Sequence, residues 1–374
     1  MTHGLVVAGE ISGDRMAAPV LEEMRRRWPD LRWYGAGGER LARAGLEVRH
    51  PVDGLAVTGV TEALRRVPTA AALLVDLAAQ ILRRRPRLAL LVDYPGVNLR
   101  LAAICRAAGV PVLYLGAPQR WAWLGFRARA LARQVNRLAV TLPFEEQWFR
   151  RRGVAATFVG HPLLDLFRPL SREDARRRLG SAGAVVALLP GSRENEIHRH
   201  LPLLVKAASL LPDLTPVLAL PPGGAGRIVE QLAPADLPRV DTPLALGAAD
   251  VALCASGSAT LELALAGVPG VVCYRLSPLT YAIARRLVST RWIGLPNLVL
   301  GREVLPELLQ DEMTPTALAR EARRLLEPAA REAVRRGLEQ VVTRLGRPGV
   351  AARVADLAGE LLGVPCLGEA TPRR

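Results

Sequence analysis

Short apolar runs recur along the chain. Each ends in glycine, proline or a polar residue, and each is followed by a segment whose apolar positions fall three and four apart. The runs predict buried strands and the spaced segments predict amphipathic helices. Strands are predicted at Leu5–Ala8, Leu31–Tyr34, Leu88–Asp93, Val110–Leu115, Leu138–Leu142 and Thr157–Val159. A second set follows at Val185–Leu189, Thr215–Leu220, Arg239-Val240, Val251–Cys254 and Val271–Tyr274. Helices are predicted between them, among them Met16–Arg27, Val57–Arg66, Ala70–Leu82 and Leu99–Ala108, and the stretch Thr316–Leu362 reads as mostly helical. Uninterrupted apolar strands alternating with helices indicate an α/β class built on doubly wound parallel sheets. The alternation pauses at Leu163–Ala184, which reads as a linker, so the domains are expected at 1–165 and 166–345. A helical tail at 346–374 would pack back on the first.

The length of 374 residues fits two domains, and half the residues are hydrophobic. The net charge of +15 is carried almost wholly by arginine, Lys206 being the only lysine. That balance favours phosphorylated substrates or an anionic membrane surface. A nucleic-acid partner is not expected, because the arginines are spread over both halves without a recognisable module. Cys105, Cys254, Cys273 and Cys366 form no CxxC pair, which fits a reducing compartment. Met1–Glu10 lacks the marks of a secretory leader, and no uncharged apolar run is long enough to span a bilayer. A cytoplasmic protein that meets a membrane only from its surface is therefore expected.

The candidate chemistry lies at strand ends, where doubly wound domains bind ligands. After the first strand comes a glycine loop, with Gly9, Glu10, Ser12, Gly13 and Asp14, that is not a dinucleotide fingerprint. Leu88–Val92 stays apolar until Asp93, a candidate general base, and Asn98 is placed to cap the following helix. Trp121 and Trp123 flank Ala122 in a chain with 4% aromatics, which suggests a functional loop or a membrane-facing edge, or else two core anchors. His161 follows a strand and offers help to a base, a contact to a substrate phosphate, or a structural contact. In the second half, Leu189-Pro190-Gly191-Ser192-Arg193 turns a strand into a helix. Ser192 is placed to cap it, Glu194 and Glu196 fall in its first turn, and Arg193 adds a planar fork suited to phosphate. Ser256-Gly257-Ser258 repeats the device: small residues let backbone N–H groups approach a diphosphate, and the hydroxyls of Ser256, Ser258 and Thr260 add donors. Glu262 stands one turn inside that helix, in reach of the two hydroxyls of a ribose. His198 and His200 are two apart and share no helix face, so no metal site is expected. The division suggests a nucleotide-sugar donor held by the second half and an acceptor by the first.

Taken in order, these motifs resemble those of lipid-A-disaccharide synthase, a family of inverting GT-B glycosyltransferases. The resemblance is carried by Ala8–Asp14, Asp93–Asn98, Pro118–Trp123, Leu142–Glu145, Val159–Leu163, Leu189–Arg193 with Glu196, Ser256–Glu262, and Leu295-Pro296-Asn297 with Glu307–Gln310. It implies two Rossmann-like domains facing a cleft. It further implies transfer of 2,3-diacylglucosamine from UDP to the 6-hydroxyl of 2,3-diacylglucosamine 1-phosphate, giving a β-1,6-linked disaccharide 1-phosphate. Asp93 would be the base, Arg193 would offset charge on the leaving UDP, Glu262 would bind ribose, and Asn297 and Gln310 would line the donor site. UDP-sugar is then a substrate; no cofactor or metal is expected, the location is the inner face of the cytoplasmic membrane, and a homodimer is left open. Departures from the family pattern, at Gly96, Val97 and Leu124, concentrate in the acceptor half. The alternative is a related GT-B transferase or epimerase using another UDP-sugar or acceptor.

Overall fold

The computed structural model describes residues 2–51, 67–117, 128–221, 225–278, 280–282 and 290–364. The chain divides into two compact units: the stretch up to Pro162 together with that from Gly346, and Leu163–Leu345 between them.

The first unit holds a seven-stranded sheet in the order β3-β2-β1-β4-β5-β6-β7. The strands are β1 Thr2–Ala8, β2 Leu31–Gly37, β3 Glu47–Pro51, β4 Leu88–Val92, β5 Val112–Leu115, β6 Arg137–Val140 and β7 Ala156–Phe158. All neighbours pair in parallel. The central strand β4 shows why an unbroken apolar run marks such a sheet. Leu88, Leu90 and Val92 join one buried cluster with the helices Ile11–Arg27 and Val350–Leu362. Ala89 and Leu91 join another with Val67–Arg84 and Pro95–Ala107. Both faces are covered, so alternation has nothing to report.

Val350–Leu362 closes the first face. Val354, Ala355 and Ala358 are buried against it, Arg27 pairs with Asp356 at 2.6 Å, and Arg353 Nε donates to the Val159 carbonyl at 2.8 Å.

The second unit repeats the plan with six parallel strands in the order β10-β9-β8-β11-β12-β13. These are β8 Ala184–Leu189, β9 Leu214–Leu220, β10 Arg239–Asp241, β11 Val251–Ala255, β12 Gly270–Tyr274 and β13 Glu307–Leu309. In each sheet the winding reverses between two adjacent strands, β1 and β4 in the first and β8 and β11 in the second. These are the switch points at which ligands of doubly wound folds bind, outside the carboxyl ends of the strands.

The structure corrects several sequence expectations. Leu163–Ala184 is not an open linker: Leu163–Leu166 and Arg172–Leu179 are helices of the second unit. Glu307–Leu309, which no apolar run marked, forms the edge strand β13. β3 was not expected, because Glu47, Arg49 and His50 break any apolar run on an exposed edge. The predicted helix Val57–Arg66 and the tryptophan loop with Trp121 and Trp123 lie outside the described residues. Among the described residues, no helix is long and apolar enough to cross a membrane.

Candidate active site

In the first unit, β1 and β4 end side by side, with Ala8 paired to Val92. Gly9 follows β1 and packs under Tyr94: a Cβ at Gly9 would fall 2.1 Å from the tyrosine ring, so only glycine fits. The helix begins at Ile11, earlier than its apolar spacing suggested, so Ser12, Gly13 and Asp14 sit in its first turn rather than in a loop. Ser12 is exposed. Asp14 is buried, and its carboxylate accepts from the backbone N–H groups of Gly38, Arg40 and Leu41 at 2.6, 3.2 and 3.1 Å. It caps the next helix, Glu39–Arg43, and so serves the fold rather than a ligand.

Asp93 and Tyr94 both take left-handed backbone conformations, φ +45° and +47°. Non-glycine residues rarely adopt these, and strain of this kind persists where the surroundings enforce it. The enforcement is visible. The Asp93 carbonyl accepts from Asn98 Nδ2 at 2.8 Å and from the Tyr114 hydroxyl. Asn98 Nδ2 also reaches the carbonyls of Val92 and Val7, at 3.1 and 3.3 Å. Asn98 is thus not the helix cap that its position suggested. The helix starts at Pro95, and the buried Asn98 amide instead ties together the ends of β1 and β4. This leaves the Asp93 side chain, partly exposed, at the switch point.

His161 follows β7, at the sheet edge. Three strand spacings separate β7 from β4, roughly 14 Å at ~4.8 Å each. His161 lies three residues beyond the end of β7 and is buried, 9% exposed. Burial pushes its pKa down to about 4. A pH effect follows. Above the unfolded value of 6.5 the ring is neutral in both states and costs nothing. As pH falls from 6.5 to about 4 the unfolded chain binds the proton first, so stability drops by ~3 kcal/mol over that window. Denaturant midpoints at pH 7 and pH 4.5 should therefore differ less for His161→Asn than for the wild-type chain. An equal difference would mean that His161 does not titrate with folding.

In the second unit the loop after β8 is held from behind by one carboxylate. Glu196 is buried, and its oxygens accept from Ser192 N at 3.3 Å, from the Arg193 guanidinium at 3.2 Å and from the Tyr274 hydroxyl at 2.8 Å. Gly191 has φ +112°, and a Cβ there would lie 2.7 Å from Glu196 Oε2, so the turn requires glycine. Ser192 does not cap the helix. Arg193 holds the N-cap position without a side-chain cap, and Glu196 reaches back instead. The Arg193 side chain stays about half exposed.

His200, which offers no metal-ligand pattern in the sequence, is central to this network. It is fully buried; Nδ1 lies 3.0 Å from the Pro190 carbonyl and Nε2 accepts from Arg275 N at 3.0 Å. These bonds fix a neutral ring with its proton on Nδ1, and burial lowers its pKa accordingly. The ring links the end of β8 to the end of β12. The signal was present in the sequence: Glu196, Ile197, His200, Leu201 and Leu204 form one buried stripe of helix Glu194–Ser209.

The loop after β11 makes the companion turn. Gly257 has φ +149°, and the space where a Cβ would point is open. Its carbonyl accepts from Thr260 N and Thr260 Oγ1, at 3.1 and 2.7 Å, so this hydroxyl is used within the turn. Ser256 Oγ donates to the Ile293 carbonyl at 2.9 Å. Ser258 is the N-cap of helix Ala259–Ala266, again without a side-chain cap. Glu262 is buried in the first turn of that helix.

Asn297 does not offer bonds to a ligand. It is fully buried and uses its whole capacity within the chain. Nδ2 donates to the Leu305 carbonyl and to Glu307, and Oδ1 accepts from Val304 N and Leu305 N, all within 2.9 Å. Glu307 in turn accepts from Ile293 N and Gly294 N, which positions the carbonyl that Ser256 contacts. Asn297→Ala would strand three buried backbone groups and an oxygen of the half-buried Glu307. It should destabilise the second unit by about 3 kcal/mol, measurable as a lower thermal midpoint; an unchanged midpoint would refute the latch. Gln310, with φ +51°, follows β13, and its Oε1 accepts from Leu276 N at 2.6 Å.

The two turns after β8 and β11 flank the switch point of one sheet, and each opens onto a helix N-terminus whose first N–H groups lack intrahelical partners. Gly191, Ser192, Arg193, Ser256, Gly257 and Ser258 are thereby brought to one edge. Among the described residues, no group of three or more His, Cys, Asp or Glu side chains gathers to hold a metal ion.

The fold is shared with GT-B proteins. The calicheamicin glycosyltransferase CalG4 superposes with a TM-score of 0.61 over 97% of this chain and 98% of that one, at 16% identity. The UDP co-structure of Staphylococcus aureus MnaA gives 0.67 over the whole of both, at 10% identity. The sequence relationship is closer elsewhere. The profile of the lipid-A-disaccharide synthetase family matches residues 5–358. Lipid-A-disaccharide synthase of Anaeromyxobacter dehalogenans strain 2CP-C is 42% identical over 373 residues, 96% of this chain and 97% of that one. The Myxococcus xanthus enzyme is also 42% identical, over 377 residues and the same shares. The chain therefore belongs to the lipid-A-disaccharide synthase family, and is a hexosyltransferase of lipid A biosynthesis with the two-Rossmann GT-B fold.

Proposed function

We propose that the chain moves a 2,3-diacylglucosamine unit from UDP to the 6-hydroxyl of 2,3-diacylglucosamine 1-phosphate, with inversion. The acceptor oxygen attacks the anomeric carbon, the bond from that carbon to the diphosphate breaks, Asp93 takes the hydroxyl proton, and UDP leaves. The observation that carries this reading is the pair of turns after β8 and β11 at one switch point, with Arg193 half exposed beside them. Arg193 and the helix N-termini meet the charge that develops on UDP, and Glu262 receives the ribose. Two relatives in fold are complexes with UDP and UDP-GlcNAc, which supports a UDP-sugar donor. The test is disaccharide formation from the two acylated substrates in detergent. UDP bound without disaccharide would leave the donor half standing and sink the acceptor; UDP-GlcNAc epimerised instead would favour the epimerase reading.

We also propose that the enzyme works on the cytoplasmic face of the membrane. The helix Val67–Arg84 supports this with an outward apolar stripe: Val75 and Leu82 are 69% and 61% exposed, in line with Pro68, Ala72 and Ala79, and Arg83 and Arg85 follow. Such a face suits an anionic bilayer. The double variant Val75→Glu, Leu82→Glu should co-sediment several-fold less, roughly, with phosphatidylglycerol vesicles; undiminished sedimentation would move the docking face elsewhere.

A further inference from the structure

We propose that the second unit carries, at the amino-terminal edge of its sheet, a binding site for a phosphate-bearing amphiphile. This edge lies a strand's length from the turns described above, about 20 Å for the six residues of β8.

The site is a cavity of about 330 Å³, at the lower end of the range for small-molecule pockets. Its charged lining is Arg172, Arg331 and Arg335, with no carboxylate among its described lining residues. Beneath it lies Asp250, 7% exposed, which accepts from Val185 N and pairs with Arg172, Arg176 and Arg331. One carboxylate therefore faces three guanidiniums, and Arg335 stands exposed beside them. Asp250 orients Arg172 and Arg331 without neutralising them, so the cavity wall keeps an excess of positive charge. A second observation points the same way. Arg331 Nε is buried and has no hydrogen-bond partner among the described residues. A buried guanidinium N–H without an acceptor is costly, and an anionic oxygen in the cavity would supply one.

The remaining wall is apolar. Pro169, Leu170 and Ala266 line it with partly exposed side chains over the buried Leu246 and Val268, and the backbone packs closely behind: a Cβ on Gly247 would lie 2.7 Å from the Leu170 carbonyl. A free phosphate would use the arginines and leave this surface wet. A phosphate joined to a short apolar segment satisfies both parts of the lining, because planar guanidiniums match phosphate oxygens and the aliphatic wall takes the rest.

The test is calorimetry on the full chain with dihexanoyl phosphatidic acid below its micellar concentration. Inorganic phosphate and dihexanoyl phosphatidylcholine serve as the other probes. Saturable binding of phosphatidic acid is expected, with inorganic phosphate and phosphatidylcholine each at least about tenfold weaker. Arg335→Ala and Arg331→Gln should each weaken phosphatidic acid about tenfold, whereas Arg193→Ala, at the opposite edge, should not. Arg335 is exposed and outside the Asp250 cluster, so its variant folds even if the Arg331 variant does not. No saturable binding, or wild-type affinity in Arg335→Ala, overturns the site. Inorganic phosphate binding as tightly as phosphatidic acid overturns the apolar part of the assignment.

Discussion

Arg193→Ala should lower the transfer rate by about 10²- to 10³-fold, the loss typical when one preorganised donor to a developing anion is removed. The fold should survive, because Glu196 keeps its bonds to the Tyr274 hydroxyl and to Ser192 N. His200 still ties the Pro190 carbonyl to Arg275. The loop should thus keep its shape while losing the group aimed at the leaving diphosphate. Arg193→Lys should recover little, since an ammonium cannot reproduce a planar fork. Steady-state kinetics following UDP release, beside calorimetric UDP affinity, would separate the two contributions. A rate unchanged in Arg193→Ala would remove the guanidinium from the mechanism.

Asp93→Asn should cost about 10² to 10⁴ in rate, the range for loss of a positioned base. The asparagine is nearly isosteric and tolerates the left-handed conformation at φ +45° better than most residues. The structural bonds at this position run through the main-chain carbonyl, which accepts from Asn98 and Tyr114 whatever the side chain. Stability should therefore be nearly unchanged, in contrast to Asp93→Ala, which adds backbone strain to the chemical defect. Acceptor-dependent turnover and the thermal midpoint measured together decide the matter. Full activity in Asp93→Asn would require another base.

Much of the fold was legible because both sheets are covered on both faces. Leu5–Ala8 of β1, all of β4 and most of β8, β11 and β12 read as apolar runs because their side chains are buried. The edges were not legible. β3 and β13 are short and partly exposed, and their register comes from the neighbouring strand rather than from their own pattern. The turns were visible as glycine after an apolar run, but their wiring was not. Ser192 and Asn98 have the composition of helix caps, yet other partners decide the bonds there: Glu196, one turn on, at the first, and the carbonyls of two strands at the second. Asn297 shows the same limit, since nothing local reveals that the chain itself uses all four of its bonds. His200 was passed over because its partners, Pro190 and Arg275, are brought together only by the sheet order.

The return of the chain to its first unit sets an order of assembly on the ribosome. Residues 163–345 form an uninterrupted stretch and can complete their own core as they emerge. The earlier residues cannot, because one face of their sheet awaits Val350–Leu362, synthesised only after residues 163–345. Until Val354, Ala355 and Ala358 arrive, the nascent chain carries an open apolar surface beside β4 and the helix Ile11–Arg27. Domains usually fold from the amino terminus onward, and such exposed intermediates are aggregation-prone. Here the unit begun first is finished last, so a premature stop shortly before Val350 would release a chain with one finished unit and one sticky one.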